Sequence, residues 1–217
     1  MKRLIVAGIL SSALLMGCGN ANEPEPIPND NEQGAEEDMG KAAEDEFTSQ
    51  FLVSNEEEEE GFYRMRGELG GFEMLIPRDA VVDHKDYRIT DNAVEKFIFW
   101  DINKDDNYNL SFDIYYHRDF STDLRESYLE SFVEGLDYDG EIKSEEVELT
   151  TIYQGFFEEE YEDNPSFYVL WAYVFSDESE EAISLIYNIT AISEDNNEIN
   201  IEDHKKIFDD IIRSLTF

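Results

Sequence analysis

The stretch 167-FYVLWAYVF-175 is apolar or aromatic at every position. Successive side chains of a strand point to opposite faces, so a strand of this kind has to be covered on both sides. A helix is the simplest cover for the second face, which already points to a sheet flanked by helices. The segment 182-AISLIYNITAIS-193 follows as a further strand, and residues 146–160 precede it as another, with Gly155 placed to mark a bulge. Earlier in the chain, 108-YNLSFDIYYH-117 sets Leu110, Phe112, Ile114 and Tyr116 against Ser111, Asp113, Tyr115 and His117. That two-residue period gives one core face and one polar face. With 95-EKFIFWD-101 it makes a hairpin.

Two more patterns complete the fold. The runs 62-FYRMRGEL-69 and 72-FEMLIP-77 flank Gly70 and Gly71, a pair suited to the positive φ of a tight hairpin turn. Between the early and late strands, Leu124, Tyr128, Leu129, Phe132, Val133 and Leu136 form one apolar helical stripe. Asp123 and Glu126 before it have the spacing of a capping box, and Gly135 with 137-DYDG-140 ends it. Ile207, Phe208, Ile211, Ile212 and Leu215 make a second stripe at the C-terminus. The order predicts an α+β domain: an antiparallel β-sheet of about six or seven strands flanked by helices, preceded by a disordered acidic tether.

The N-terminus carries an address. Lys2 and Arg3 precede an apolar run over residues 4–16, the layout of a secretory signal. The run is shorter than the roughly 20 residues that a spanning helix needs. Leu15, Met16, Gly17 and Cys18 resemble the bacterial lipobox, where cleavage falls before a cysteine whose sulfur carries diacylglycerol. The resemblance implies that Cys18 is the lipidated first residue of the mature chain, held on the extracytoplasmic side of the cell membrane. A buried thiol, or a cysteine lost with the signal, are the other readings. Because Cys18 is the sole cysteine, the domain can hold no internal disulfide. The expected division is a signal peptide over 1–17, lipidated cysteine and acidic linker over 18–60, and the domain over 61–217.

Charge narrows the partners. The formal net charge of −37 opposes the counterion release that drives nucleic-acid binding, so no nucleic acid is expected. Residues 19–60, rich in acid and holding Pro24, Pro26 and Pro28, cannot bury enough apolar surface to order themselves.

Three groups of residues invite a chemical reading. Asp101, Asn103, Asp105 and Asn107 alternate as in an EF-hand calcium loop, but Asp106 stands where glycine should turn and Phe112 where a glutamate should close the site. A hairpin loop accounts for the same residues and is preferred; calcium is otherwise the one cofactor suggested. Glu158, Glu160 and Glu162 share a strand face, yet nothing in the sequence separates their pKa values as paired acid/base work requires. Edge protection by charge is the preferred reading. His84, His117 and His204 have no metal-ligand spacing. No catalytic residue is assigned, and a noncatalytic role is expected.

From 71-GFEMLIPRDAV-81 through the hairpin and helix to the closing 208-FDDIIRSLTF-217, the pattern resembles the PsbP-like domains of bacterial lipoproteins. The resemblance implies a sheet flanked by helices and a binding or assembly role, with an envelope protein as partner. A cation- or small-ligand-binding lipoprotein and an envelope enzyme are the alternatives.

Overall fold

In the computed structural model the described residues are 39–103, 108–161, 164–192 and 199–217. Cys18 and the signal lie outside them. The main sheet has eight antiparallel strands. They are β3 (Val81–Val82), β4 (Arg88–Thr90), β5 (Val94–Asn103), β6 (Tyr108–His117), β7 (Lys143–Val147), β8 (Thr150–Tyr161), β9 (Asn164–Ser176) and β10 (Ala182–Ala191). Their order is β3-β5-β6-β10-β9-β8-β7, with β4 beside β3 on β5. The two-sided apolar strand is β9, paired with β8 and β10 well inside the sheet.

The first hairpin, β1 (Phe62–Arg66) with β2 (Glu73–Pro77), forms a separate two-stranded sheet. Its strands are joined by residues 67–72 rather than by a two-residue turn, though Gly70 does take a positive φ of 70°. Tyr63, Met65, Met74 and Ile76 turn inward and join the main core. The closing segment after α3 (Ile201–Arg213) binds this hairpin: Glu73 and Thr216 exchange both backbone hydrogen bonds at 2.9 Å, and the Leu75 N–H donates to Ser214 Oγ at 2.8 Å. α3 places Phe208, Ile211 and Ile212 in the core, as its stripe requires.

The domain begins earlier than the sequence suggested. Residues from about 39 to 53 are packed, not linker, so the expected boundary at residue 61 moves toward the N-terminus. Helix α1 (Lys41–Glu44) buries Ala42, and the 3-10 turn Thr48–Phe51 buries Thr48 and Phe51. The Phe51 ring stands edge-on to Phe97 at 5.0 Å, and the Val82 N–H donates to Thr48 Oγ1 at 2.9 Å. Phe47 and Phe51 supply the apolar burial that offsets the surrounding acid.

Two local expectations also shift. The bulge falls between Glu159 and Tyr161, not at Gly155. Gly155 instead lies opposite Trp171, where a Cβ would stand 2.7 Å from the indole, so its missing side chain makes room for the ring. The capping box does not form: the 3-10 turn Thr122–Leu124 leads into α2 (Arg125–Gly135) without a side-chain cap.

Candidate binding face

The main sheet has two faces, fixed by register. On one, Phe97, Phe112, Ile114, Leu185, Ala172 and Ile152 build the core under α3 and the small hairpin. The other divides in two. Over β8 and β9 it is covered by α2 and its flanks: Phe132 lies 5.7 Å from Trp171 and 5.2 Å from Tyr173, and Phe120 lies 5.1 Å from Phe175. Helix cover for 167-FYVLWAYVF-175 is therefore present. Over β5, β6 and β10 no helix is packed among the described residues.

That open half is where the polar members of 108-YNLSFDIYYH-117 lie. Ser111 is in register with Trp100 on one side and Asn188 on the other, and the Asn188 Nδ2 donates to Ser111 Oγ at 3.1 Å. Asp113 lies between Ile98 and Ile186, and Tyr115 between Lys96 and Ser184. The Lys96 ammonium stands 5.4 Å from the Tyr115 ring centre. Trp100, at 47% exposure, is a large aromatic presented to solvent at the edge of this surface. A shallow depression of about 250 Å³ opens toward the other end of β5, between Arg88, Thr90, Val94, Lys96 and Tyr115.

The electrostatics of this surface are unusual for a solvated sheet. Burial raises the Asp113 pKa above the ordinary aspartate value; Lys96 opposes that effect and Asp86 adds to it. Burial also lowers the pKa of His117, which sits between Val94 and Ala182. Flanking isoleucines thus hold one carboxylate in poor contact with water, next to an exposed indole. Such a surface can receive a positively charged or amide-rich segment through an aromatic contact and one desolvated anion.

A larger cleft of about 670 Å³ runs between residues 138–143, the outer edge of β8 and α3. Three of its six charged lining residues are engaged: Lys205 pairs with Glu202 at 2.7 Å and stands 4.4 Å from the Phe156 ring centre, and Asp209 pairs with Arg213, outside the lining, at 2.7 Å. We place the candidate site on the open sheet face, where an exposed indole and a desolvated carboxylate share one surface.

The residues singled out from the sequence are dispersed. Asp101 and Asn103 lie at the end of strand β5 opposite Leu110 and Tyr108, while Asp105 and Asn107 lie outside the described residues. Among the described residues no three His, Cys, Asp or Glu side chains gather as a metal site needs. Glu158 is exposed on β8, in register with Tyr168 of β9 on one side, while on the other side the pairing with β7 stops at Gln154. His204, by contrast, is buried and shares a 3.1 Å hydrogen bond with the Tyr187 hydroxyl. The alternation of residues 108–117 already marked Asp113 and Tyr115 as outward; what it could not show was which part of the second face the helix leaves open.

Comparison with known proteins places the chain. Among the described residues no helix is long and apolar enough to cross a membrane. A family model described as "Putative lipoprotein YvcA" matches residues 39–216, beginning where the packed residues begin. The Bacillus subtilis (strain 168) protein of that description is 29% identical over 236 residues, covering 100% of this chain and 97% of its own. Among solved structures, the Ran-binding protein Mog1p of Saccharomyces cerevisiae matches at a TM-score of 0.45 with 10% identity, covering 71% of this chain and 94% of that one. A mutant of Mog1 matches at 0.44 with 10% identity, covering 71% and 95%. The resemblance to PsbP-like domains rests on the sequence motifs alone. With most of its length matched by that one model, the chain belongs to the YvcA lipoprotein family.

Proposed function

We propose that this protein is a noncatalytic, lipid-anchored binding module of the cell envelope. Cys18 carries diacylglycerol on its sulfur and holds the domain at the extracytoplasmic face of the membrane, a reading supported by the family's description and by the lipobox resemblance of residues 15–18. Two acyl chains anchor firmly where a single chain does not. The open half of the sheet receives an envelope protein through Trp100, Tyr115 and Asp113. One observation carries this: Trp100, 47% exposed, shares with Asp113 and Tyr115 the half of the sheet that no described helix covers. The resemblance to PsbP-like domains supports the same role.

The test is a photo-crosslinking amino acid in place of Trp100, introduced into the full lipidated chain in its own envelope. A discrete adduct is expected, absent when the probe replaces exposed Glu130 on α2 and lost when Asp113→Asn is added. The same adducts from both positions would defeat the reading. The anchor is tested separately: Cys18→Ser should abolish lipid labelling and release the domain from the membrane fraction.

A further inference from the structure

Strand β8 outruns the strand that borders it. β7 pairs with β8 from Val147 opposite Thr150 to Lys143 opposite Gln154, whereas β9 stays in register with β8 as far as Glu159. Backbone groups of an antiparallel strand point alternately to its two neighbours, and two hydrogen bonds fix the phase here. The Asp177 N–H donates to the Leu149 carbonyl at 2.9 Å, on the β8 side of β9, and the Ser176 N–H donates to the Glu181 carbonyl at 3.0 Å, on the β10 side. Odd-numbered residues of β8 therefore bond to β9, and even-numbered ones face outward. Thr150, Ile152 and Gln154 meet β7 there, while Phe156 and Glu158 meet no strand among the described residues.

The chain that leads into β7 is held off this edge. The Tyr138 hydroxyl donates to the Glu141 carbonyl at 2.7 Å, and the Tyr138 ring lies 5.3 Å from Trp171 and 5.8 Å from Phe157, on the face that α2 covers. Residues 138–141 close on themselves instead of prolonging β7, and the cleft of about 670 Å³ opens between them, Phe156 and α3. An uncovered run of strand edge is a template for another chain.

Charge selects what that chain carries. The protein has 53 acidic residues and 16 basic ones, yet Lys143, Lys205 and Lys206 all line this cleft. Lys205 pairs with Glu202, whereas Lys143 and Lys206 are exposed and, among the described residues, have no ion pair. Side chains directly opposite each other on neighbouring strands share a face. The Phe156 ring lies under the Lys205 ammonium, on the α3 side, so a residue added opposite Phe156 turns its side chain into the same cleft. At physiological salt a screening length of about 8 Å confines repulsion from the rest of the acidic surface.

We propose that the outer edge of β8 at Phe156 and Glu158 receives an extended acidic segment of a partner protein. The segment adds antiparallel, in line with β7, and sets a carboxylate opposite Phe156 in the cleft that Lys143 and Lys206 line. Main-chain hydrogen bonds hold it, and the lysines choose its charge. The irregularity between Glu159 and Tyr161 ends the edge, so about three partner residues pair. This surface is separate from the open half of the sheet, and neither reading depends on the other.

Amide hydrogen exchange on the full chain tests the edge, with a short capped peptide of alternating threonine and valine around a central glutamate as probe. Without peptide, the Phe156 and Glu158 amides should exchange about tenfold faster than the Phe157 amide, which is bonded to β9; saturating peptide should slow both about tenfold and leave Phe157 unchanged. If both amides are already as slow as that of Gln154 in the free chain, the edge is closed and the proposal is wrong. The same peptide methylated on its central amide nitrogens should not bind, and equal binding would replace strand addition by side-chain contact alone. A lysine-centred peptide should bind about fivefold more weakly than the glutamate one, a preference that Lys143→Gln with Lys206→Gln should remove. Equal affinity of the two peptides for the unaltered chain would overturn the acidic partner. Protection that appears at residues 96–100 instead would assign the peptide to the open face, and no binding by any peptide would remove the edge as a site.

Discussion

Glu95 is fully buried, and its carboxylate is accounted for. It accepts the Glu68 N–H at 2.7 Å, the Leu69 N–H at 3.1 Å and the Tyr87 hydroxyl at 3.0 Å, pinning the loop of the small hairpin to the main sheet. The Arg118 guanidinium donates to the Leu69 carbonyl, and Gly71 leaves room for the Tyr116 hydroxyl. Glu95→Ala removes the acceptor of two part-buried N–H groups and of the Tyr87 hydroxyl and should cost about 2 kcal/mol in urea unfolding, whereas Glu95→Gln, which keeps an acceptor, should cost about half as much. A loss below about 1 kcal/mol for alanine would mean that water replaces the carboxylate. Asp113 is the opposite case. Its raised pKa means that the folded state binds the proton more readily than the unfolded one. Stability from this group is full below the unfolded value and is lost as pH rises through the folded value. Asp113→Asn should therefore raise Tm at pH 7, the gain vanishing below about pH 4, while the crosslinked adduct is lost. For His117 the sign reverses: its lowered pKa costs stability as pH falls below about 6.5, and His117→Gln should flatten that decline. A Tm gain for Asp113→Asn that persists at pH 3 would assign it to packing rather than charge.

At the scale of elements, the most consequential one is the short N-terminal segment that closes the core. Phe51 contacts Phe47, Tyr87 and Phe97 with ring centres 5.0 to 5.3 Å apart. Phe51→Ala should cost about 3 to 4 kcal/mol, as for a phenylalanine lost from a core, while Val53→Ala, at an exposed position, should change stability by less than about 0.5 kcal/mol. Equal, small effects would return residues 39–53 to the linker. Composition concealed this segment, because two phenylalanines among many acids do not lower the average charge of a window, yet two rings suffice to close a gap beside β5. Strands β5, β6, β9 and β10 were legible because alternation, or two-sided apolarity, follows directly from the pleat. The independence of the β1–β2 sheet was not legible, since which sheet a hairpin joins depends on tertiary pairing that no local period encodes. The candidate face was half legible: alternation placed Asp113 and Tyr115 outward, but Trp100 sits in the apolar run 97-FIFW-100 and reads there as core.

At the scale of the whole molecule, charge governs. The chain carries 53 acidic residues and 16 basic ones, and the described arginines are mostly engaged already: Arg64 with Glu58, Arg78 with Glu57, Arg125 with Asp177, and Arg213 with both Glu145 and Asp209. Most carboxylates therefore face one another rather than a base, and self-repulsion destabilises the compact state. Raising NaCl from about 10 mM to about 200 mM shortens the screening length from roughly 30 Å to below 10 Å, so Tm should rise by several degrees over that range and less thereafter. A flat response would show that the excess charge is already dispersed widely enough to be harmless. The same titration decides the calcium reading. At matched ionic strength, screening alone predicts similar curves for calcium and sodium, whereas a site at Asp101, Asn103, Asp105 and Asn107 adds a saturable increment that Asp105→Ala removes. An increment that survives Asp105→Ala belongs to diffuse condensation on the acidic surface, and no increment at all removes calcium from the account of residues 101–107.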